Sequence, residues 1–385
     1  MLFRRTVDAT LLFILSAALA PLEAQDRTEL VRTLQVHLDS LTEHSAFPGL
    51  TLGVALADGS SLGFAAGWSD TIAHREMRPE DRMLQGSVGK TYFGAIALQL
   101  AADGRLPLDS KLSDYLGNEP WYGGLPNGAD VTIRQLMSHT SGIVRYEFNP
   151  QFLQDLTADP MRTWTPAQRV AYLDGMEAPF AAGEGWDYSD TNFVLVAMAV
   201  ESVTGRPIYD DIRRNLLDRL ELENTVASDR PDVPGIANGY AGTENGFGAF
   251  DATVQDGRLV FNPQFEWAGG GFASTTEDLA IWTKHVQEGR AFNPVILEDF
   301  RAGTPAPLGP EGSYGLGVIM MELPAGTAWG HSGFMPGYRT EAYYFPEYGF
   351  ALALQVNTSD GAAFGQSPLR MLNEIAERVK VGVGS

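Results

Sequence analysis

The chain has 385 residues, 44% hydrophobic and 19% charged, which supplies a large core and rules out wholesale disorder. Its formal net charge of −21 argues against a nucleic-acid or anionic-membrane partner, since both need a basic face. Cysteine is absent and lysine is scarce, only Lys90, Lys111, Lys284 and Lys380 against 23 arginines. The first fact excludes disulfides, thiolate metal sites and a cysteine nucleophile.

The N-terminus reads as a secretory leader over residues 1–24. Arg4 and Arg5 precede an apolar run from Leu11 to Leu22, and Ala24 offers a small residue for cleavage. The run is short for a membrane span, so the expectation is export to the periplasm or beyond, with no transmembrane segment after processing. Leu30, Leu34, Leu38 and Leu41 then mark one helical face. Residues 50–57 and 62–68 are apolar runs joined by Asp58-Gly59-Ser60, a hairpin signal. Residues 88–102 are apolar on nearly every side, the mark of a buried helix, and Gly104 is placed to end it.

The middle of the chain is helix-rich. Thr165-Pro166-Ala167-Gln168 combines an N-cap, a first-turn proline and a capping-box partner. The patterning predicts helices over 191–204 and 207–219, and an irregular connection over 225–265. Ser274 with Glu277 opens a further helix through Gln287. Strand-like runs follow at 313–321, 326–331, 338–345 and 349–356, and Leu369, Leu372, Ile375 and Val379 face one side of a final helix, 367–380. The expected fold class is α+β: an antiparallel sheet built from both ends of the chain and flanked by helices, plus an all-helical subdomain. The α/β part falls at about 25–90 and 265–385, and the helical part at about 91–264.

Two serines compete as nucleophile. Gly59-Ser60-Ser61-Leu62-Gly63 matches the nucleophile-elbow pattern, but that elbow needs a strand before it and a helix after it. Here a strand follows, so the segment reads as a hairpin turn. Ser87-Val88-Gly89-Lys90 stands instead at the start of the buried helix. There the first-turn N–H groups are unpaired and the helix end is positive, which suits a developing oxyanion. Lys90 lies three residues on, on the face of Ser87. A serine hydroxyl needs an adjacent proton acceptor, and a desolvated lysine can give up its proton where an arginine cannot. The plain alternative is a lysine that snorkels to the surface.

Two more clusters sit at telling places. Gly183-Glu184-Gly185-Trp186-Asp187-Tyr188-Ser189-Asp190 leads directly into a helix. Tyr188 is a candidate base if a nearby lysine lowers its pKa; otherwise it is a core tyrosine with Asp190 as N-cap. Trp329-Gly330-His331-Ser332-Gly333-Phe334 closes a strand. There His331 is a candidate polar wall residue, or merely a strand-edge histidine.

In combination these segments resemble the serine β-lactamase and penicillin-binding-protein superfamily, most closely its class C-related branch of D-alanyl-D-alanine carboxypeptidases, D-aminopeptidases and esterases. Ser87-Val88-Gly89-Lys90 matches S-x-x-K, Tyr188-Ser189-Asp190 matches Y-x-N with one change, and His331-Ser332-Gly333 matches the H-x-G variant of the third box. Leu136-Met137-Ser138-His139-Thr140-Ser141-Gly142 and Gly269-Gly270-Gly271-Phe272-Ala273-Ser274 are similar to supporting segments, and the likeness covers roughly residues 28–380. It implies a β-lactamase/transpeptidase-like fold and an acyl-enzyme on Ser87. It further implies proton transfer by Tyr188 and Lys90, an oxyanion bound by the N–H groups of Ser87 and Phe334, and no metal or cofactor. His139 reads as structural.

Two departures bear on the substrate. Asp190 replaces an amide that donates to an acyl-amide oxygen, which an ionised carboxylate cannot do; this favours esters over acyl amides and holds Lys90 protonated. His331 replaces a lysine, which weakens cationic capture of a substrate carboxylate, with Arg339 an unsupported substitute. The expectation is an exported serine hydrolase acting on a small-molecule or peptide substrate, as an esterase or a D-amino-acid peptidase or carboxypeptidase. The alternatives are a class C-like β-lactamase and, from another class, a non-catalytic cell-wall or peptide-binding module.

Overall fold

The computed structural model describes residues 24–242, 250–309 and 311–383. Apart from Ala24, the leader expected over residues 1–24 lies outside the described residues. Strands come from both ends of the chain: β1 (Gly49–Ala55), β2 (Ser61–Asp70) and β3 (Arg75–Glu76), then β4 (Thr304–Pro305), β5 (Ser313–Tyr314), β6 (Ile319–Leu323), β7 (Gly326–Met335), β8 (Tyr338–Phe345) and β9 (Phe350–Val356). They form one antiparallel sheet in the order β3-β2-β1-β9-β8-β7-β6-β5-β4. β1 joins β9 with Leu50 opposite Val356. Both strands are buried along their whole length, which is why neither shows a polar–apolar alternation.

The longer helices are α1 (Ala24–Glu43), α2 (Lys90–Ala102), α3 (Asp190–Thr204), α4 (Thr276–Gln287) and α5 (Pro368–Val383). α1 and α5 pack on each other and on the sheet. Leu30, Leu34 and Leu38 share one buried cluster with Met371, Leu372, Ile375, Val379 and the strand residues Leu50, Leu52 and Leu354. α4 packs on β1, β8 and β9. α2 and α3 pack against each other in the middle of the chain and lie in a second cluster with Trp282 of α4. Burying a side chain such as Phe93, Leu98 or Phe193 contributes about 1.5–3 kcal/mol, so α2, apolar all round, is held by its surroundings rather than by an amphipathic face.

The architecture agrees with the α+β expectation, and several local features differ. Ser87 lies in a 3₁₀ turn, Gly86–Gly89, that precedes α2 rather than in the helix itself. The helix expected over 207–219 is a short α-helix, Ile208–Ile212, followed by a π-helical turn, Arg213–Leu217. Periodicity misses this because Ile208, Ile212, Leu216 and Leu217 point inward in either form. α4 is capped by Thr275, whose side chain accepts from Asp278 N–H, one residue after the expected Ser274. β7 runs on to Met335, so His331-Ser332-Gly333 lies inside a strand, with Gly333 opposite Thr340 of β8. Gly59-Ser60 is a turn pinned by Asp58, which accepts from Ser60 N–H at 2.9 Å, and Ser61 opens β2 with its hydroxyl on Glu277 at 2.6 Å. That leaves no nucleophile elbow.

Candidate active site

The Ser87 turn is pressed between two backbones. Gly86 has φ +55°, and a Cβ there would come within 2.5–2.7 Å of the Phe334 backbone. A Cβ on Gly89 would fall 1.7 Å from Gly270 O. Only glycine allows the left-handed turn at one position and the close approach at the other. This packing draws the third box and the Gly269-Gly270-Gly271 loop onto the serine.

Lys90 is fully buried. Its Nζ donates to Ser87 Oγ at 3.0 Å, and also to Asp190 Oδ1 and to Gly269 O. An ammonium has three donors, and here each has an acceptor. A buried charge without such partners would be very costly, so Lys90 does not snorkel. Asp190 is shared: its second oxygen accepts from Arg145 Nη2. Burial opposes ionisation of Asp190, but Lys90 and Arg145 outweigh it and hold the carboxyl well below the usual carboxylate range. Both Asp190 oxygens are therefore directed at cations. The N-cap of α3 is Ser189 rather than Asp190.

Tyr188 packs its ring 4.2 Å from the His139 ring and 5.1 Å from Lys90 Nζ, centroid to atom. Among the described residues its hydroxyl makes no hydrogen bond of good geometry, although Ser87 is close enough to favour the phenolate slightly. The expected lowering of its pKa is reversed. Burial, and then the Asp190 carboxylate, push it well above the ordinary tyrosine value. The positive charge of Lys90 is already committed to Asp190.

His331 is buried between Tyr314, whose hydroxyl is 3.0 Å from Nε2, and the Ser332 carbonyl, 2.6 Å from Nδ1. A carbonyl only accepts, so Nδ1 carries the hydrogen. Burial and the nearby Lys90 push the His331 pKa down to about 3, and the ring is neutral at physiological pH. Ser332 donates to Glu341 Oε2 at 2.5 Å and lies 2.9 Å from the Tyr343 hydroxyl. A Cβ on Gly333 would meet Gln85 O at 2.0 Å. Phe334 carries the Arg339 guanidinium 4.5 Å above its ring. His139, at φ +60°, accepts the Ser189 N–H at 3.3 Å on Nδ1 and lies 3.0 Å from Asn192 Nδ2, tying its loop to the start of α3.

These groups border one cleft of about 560 Å³. Ser87, Tyr188, Asp190, His331, Ser332, Gly333 and Phe334 line it, with Phe148, Leu153, Leu308 and Ile319 as apolar walls. Its lining also includes residues that the sequence patterns did not single out: Arg145, Glu147, Glu266 and Glu341. Burial, the largest cause in each case, pushes Glu147 up to about 8 and Glu266 and Glu341 up to about 7. Among the described residues no group of three or more His, Cys, Asp or Glu is arranged to hold a metal ion.

Residues 34–376 match the model of the family described as Beta-lactamase, and the chain belongs to that family. A D-aminopeptidase of Brucella ovis is 24% identical over 350 residues, covering 89% of this chain. The chain spans 62% of that relative's length. A D-stereospecific amidohydrolase from Streptomyces sp. superimposes with a TM-score of 0.76 at 28% identity, covering 89% of this chain and 97% of its own. A D-amino acid amidase from Ochrobactrum anthropi SV3 does so with a TM-score of 0.78 at 22% identity, covering 92% and 99%, a likeness of fold. These relationships support a serine hydrolase of the β-lactamase fold.

Proposed function

We propose that the chain cleaves an amide or ester through an acyl-enzyme on Ser87, with substrates that carry a free ammonium group, in the manner of a D-amino-acid aminopeptidase or amidase. The observation that carries the reading is the Lys90–Ser87 hydrogen bond of 3.0 Å at a cleft bordered by all three boxes. Ser87 Oγ attacks the carbonyl carbon. As it does, the Tyr188 hydroxyl takes the serine proton and passes its own to the leaving group, a relay that needs no resting phenolate. The Lys90 ammonium stays paired and stabilises the negative charge growing on Oγ.

The cleft favours an ammonium over a carboxylate. Glu147, Glu266 and Glu341 line it, Asp190 is neutralised by its two cations, and His331 is uncharged. A cationic substrate stabilises the ionised form of each carboxyl, whereas an anionic β-lactam or peptide C-terminus finds no such partner in them. The names of the D-aminopeptidase and D-amino acid amidase relatives support the same choice. Arg339 on the cleft wall favours a second reading, capture of a substrate carboxylate as in a carboxypeptidase. The leader-like segment over residues 1–24 supports action outside the cytoplasm.

Intact-mass labelling with a fluorophosphonate tests the nucleophile. One adduct is expected on the wild type and none on Ser87→Ala; an adduct that survives Ser87→Ala overturns the reading. A rate panel of D-amino acid amides, their N-acetyl forms, D-alanyl peptides with free carboxylates, p-nitrophenyl butyrate and nitrocefin ranks the substrates. Faster turnover of N-acetyl or carboxylate-bearing substrates than of free-amine amides removes the ammonium preference.

A further inference from the structure

Glu266 lines the cleft, and the acylation step above does not use it. It is 7% exposed and lies just before the Gly269-Gly270-Gly271 loop. Its Oε2 accepts the Gly271 N–H at 3.2 Å, which fixes the carboxyl, while Oε1 makes no hydrogen bond with the described residues. Two glycines place it against the backbone that packs on the Ser87 turn. A Cβ on Gly270 would fall 2.3 Å from Glu266 Oε1, and a Cβ on Gly89 would fall 1.7 Å from Gly270 O. The carboxyl and the Ser87 turn thus both approach Gly270. The neighbouring Gly269 carbonyl accepts from Lys90, the residue that holds Ser87.

If packing alone were served, an amide or an apolar residue would avoid the cost of burying a carboxyl. A fixed carboxyl with one unpartnered oxygen on a cleft wall is suited to orienting a water. We propose that Glu266 is the general base of deacylation, taking a proton from the water that attacks the acyl ester on Ser87. The inference rests on the Ser87 reading and extends it to the second half-reaction. In that half-reaction the water oxygen bonds to the acyl carbon and its proton passes to Glu266. The carbon–Oγ bond then breaks and Lys90 supplies a proton to Oγ. The proton held on Glu266 restores Lys90, and the product leaves as the acid.

The groups around Glu266 set its titration. Lys90 of α2, Asp190 of α3, Arg145, and the phenols of Tyr146, Tyr188 and Tyr209 all interact with it. Burial, with Asp190 adding to it and Lys90 and Arg145 opposing, leaves the carboxyl at about 7. A base must be ionised, so deacylation rises with pH through this value and fails below it.

Wild type, Glu266→Gln and Glu266→Asp are compared as full chains with p-nitrophenyl butyrate. Glu266→Gln is expected to keep its first-turnover acylation rate, to lose at least ~100-fold in steady-state rate, and to accumulate a butyryl adduct by intact mass. The limb near pH 7 disappears in Glu266→Gln and returns, at a lower rate, in Glu266→Asp. Wild-type turnover by Glu266→Gln, a retained limb, or acylation lost together with turnover each overturns the proposal. Fluorophosphonate labelling of the same samples separates the failures. Equal labelling of all three shows that Glu266 alone is being judged, whereas an unlabelled wild type overturns the Ser87 reading and this proposal with it.

Discussion

Asp190→Asn removes the one anion that bridges Lys90 and Arg145. In the wild type one carboxylate oxygen accepts from each cation, and Lys90 and Asp190 are both buried. An asparagine oxygen can accept from one of them, while its NH₂ must turn away from the other. Breaking a buried pair by removing one partner costs about 3–5 kcal/mol, because a buried charge is left without its partner. In a chain of this size that corresponds to a fall of roughly 4–6 °C in Tm. Urea and thermal unfolding at pH 7 measure it. Asp109→Asn serves as the control, since its pair with Arg134 is solvent-exposed and contributes at most about 1 kcal/mol. A double-mutant cycle with Lys90→Met should return a coupling of about 1–3 kcal/mol.

The pH dependence has a definite sign. The folded Asp190 carboxyl is held below its ordinary value of 3.8. Its stabilisation is fully present above that value and is lost as pH falls through the folded one. The deficit of Asp190→Asn is therefore largest at neutral pH and shrinks below about pH 4. A variant within about 0.5 kcal/mol of wild type at pH 7, the usual range for a neutral surface substitution, refutes the ion-pair account. The amide-to-ester rate ratio of the same variant tests the substrate argument, which an unchanged ratio would sink.

Other outcomes follow from the same geometry. Tyr188→Phe should keep the fold and lower kcat by about 10²–10⁴-fold, read with a D-amino acid amide; wild-type activity in that variant removes the phenol from proton transfer. Gly89→Ala forces a methyl to 1.7 Å from a backbone carbonyl, so it should be destabilised well beyond the ~1 kcal/mol of an average substitution; denaturant unfolding decides. His331 titrates at about 3, so the activity profile between pH 5 and 8 should be the same in His331→Gln as in wild type. A limb lost in that variant would mean that the ring is charged in the working range.

The residues that betray the site in sequence are those whose chemistry conflicts with their surroundings. Lys90 stands in a helix that is otherwise apolar, and it follows Ser87 by one turn. The structure resolves the conflict by giving its ammonium three acceptors. Tyr188 and His331 were legible by motif but not in their protonation, because burial depends on distant segments. The expected lowering at Tyr188 failed for that reason. Arg145 sits 45 residues before Asp190 in a segment with no periodic pattern, and nothing marks it as the partner that makes an aspartate tolerable there. Glu147, Glu266 and Glu341 were indistinguishable in sequence from the many solvated carboxylates of an acidic chain. At the level of elements, β1 was readable as a largely apolar run and β9 as a strand-like one. The 3₁₀ turn at Ser87 and the extension of β7 to Met335 were not, since turn geometry and cross-strand register come from the partner strand.

The seam between β1 and β9 has a consequence for how the chain matures. Leu50 waits for Val356, so these two neighbouring inner strands of the sheet cannot meet until the chain is available as far as residue 356. α1 likewise lacks its packing partner α5 until the last described residues are present. Pairings this distant in sequence close slowly, and until they close, apolar strand edges stay open to other chains. Closing the β1–β9 seam is therefore a late step of folding.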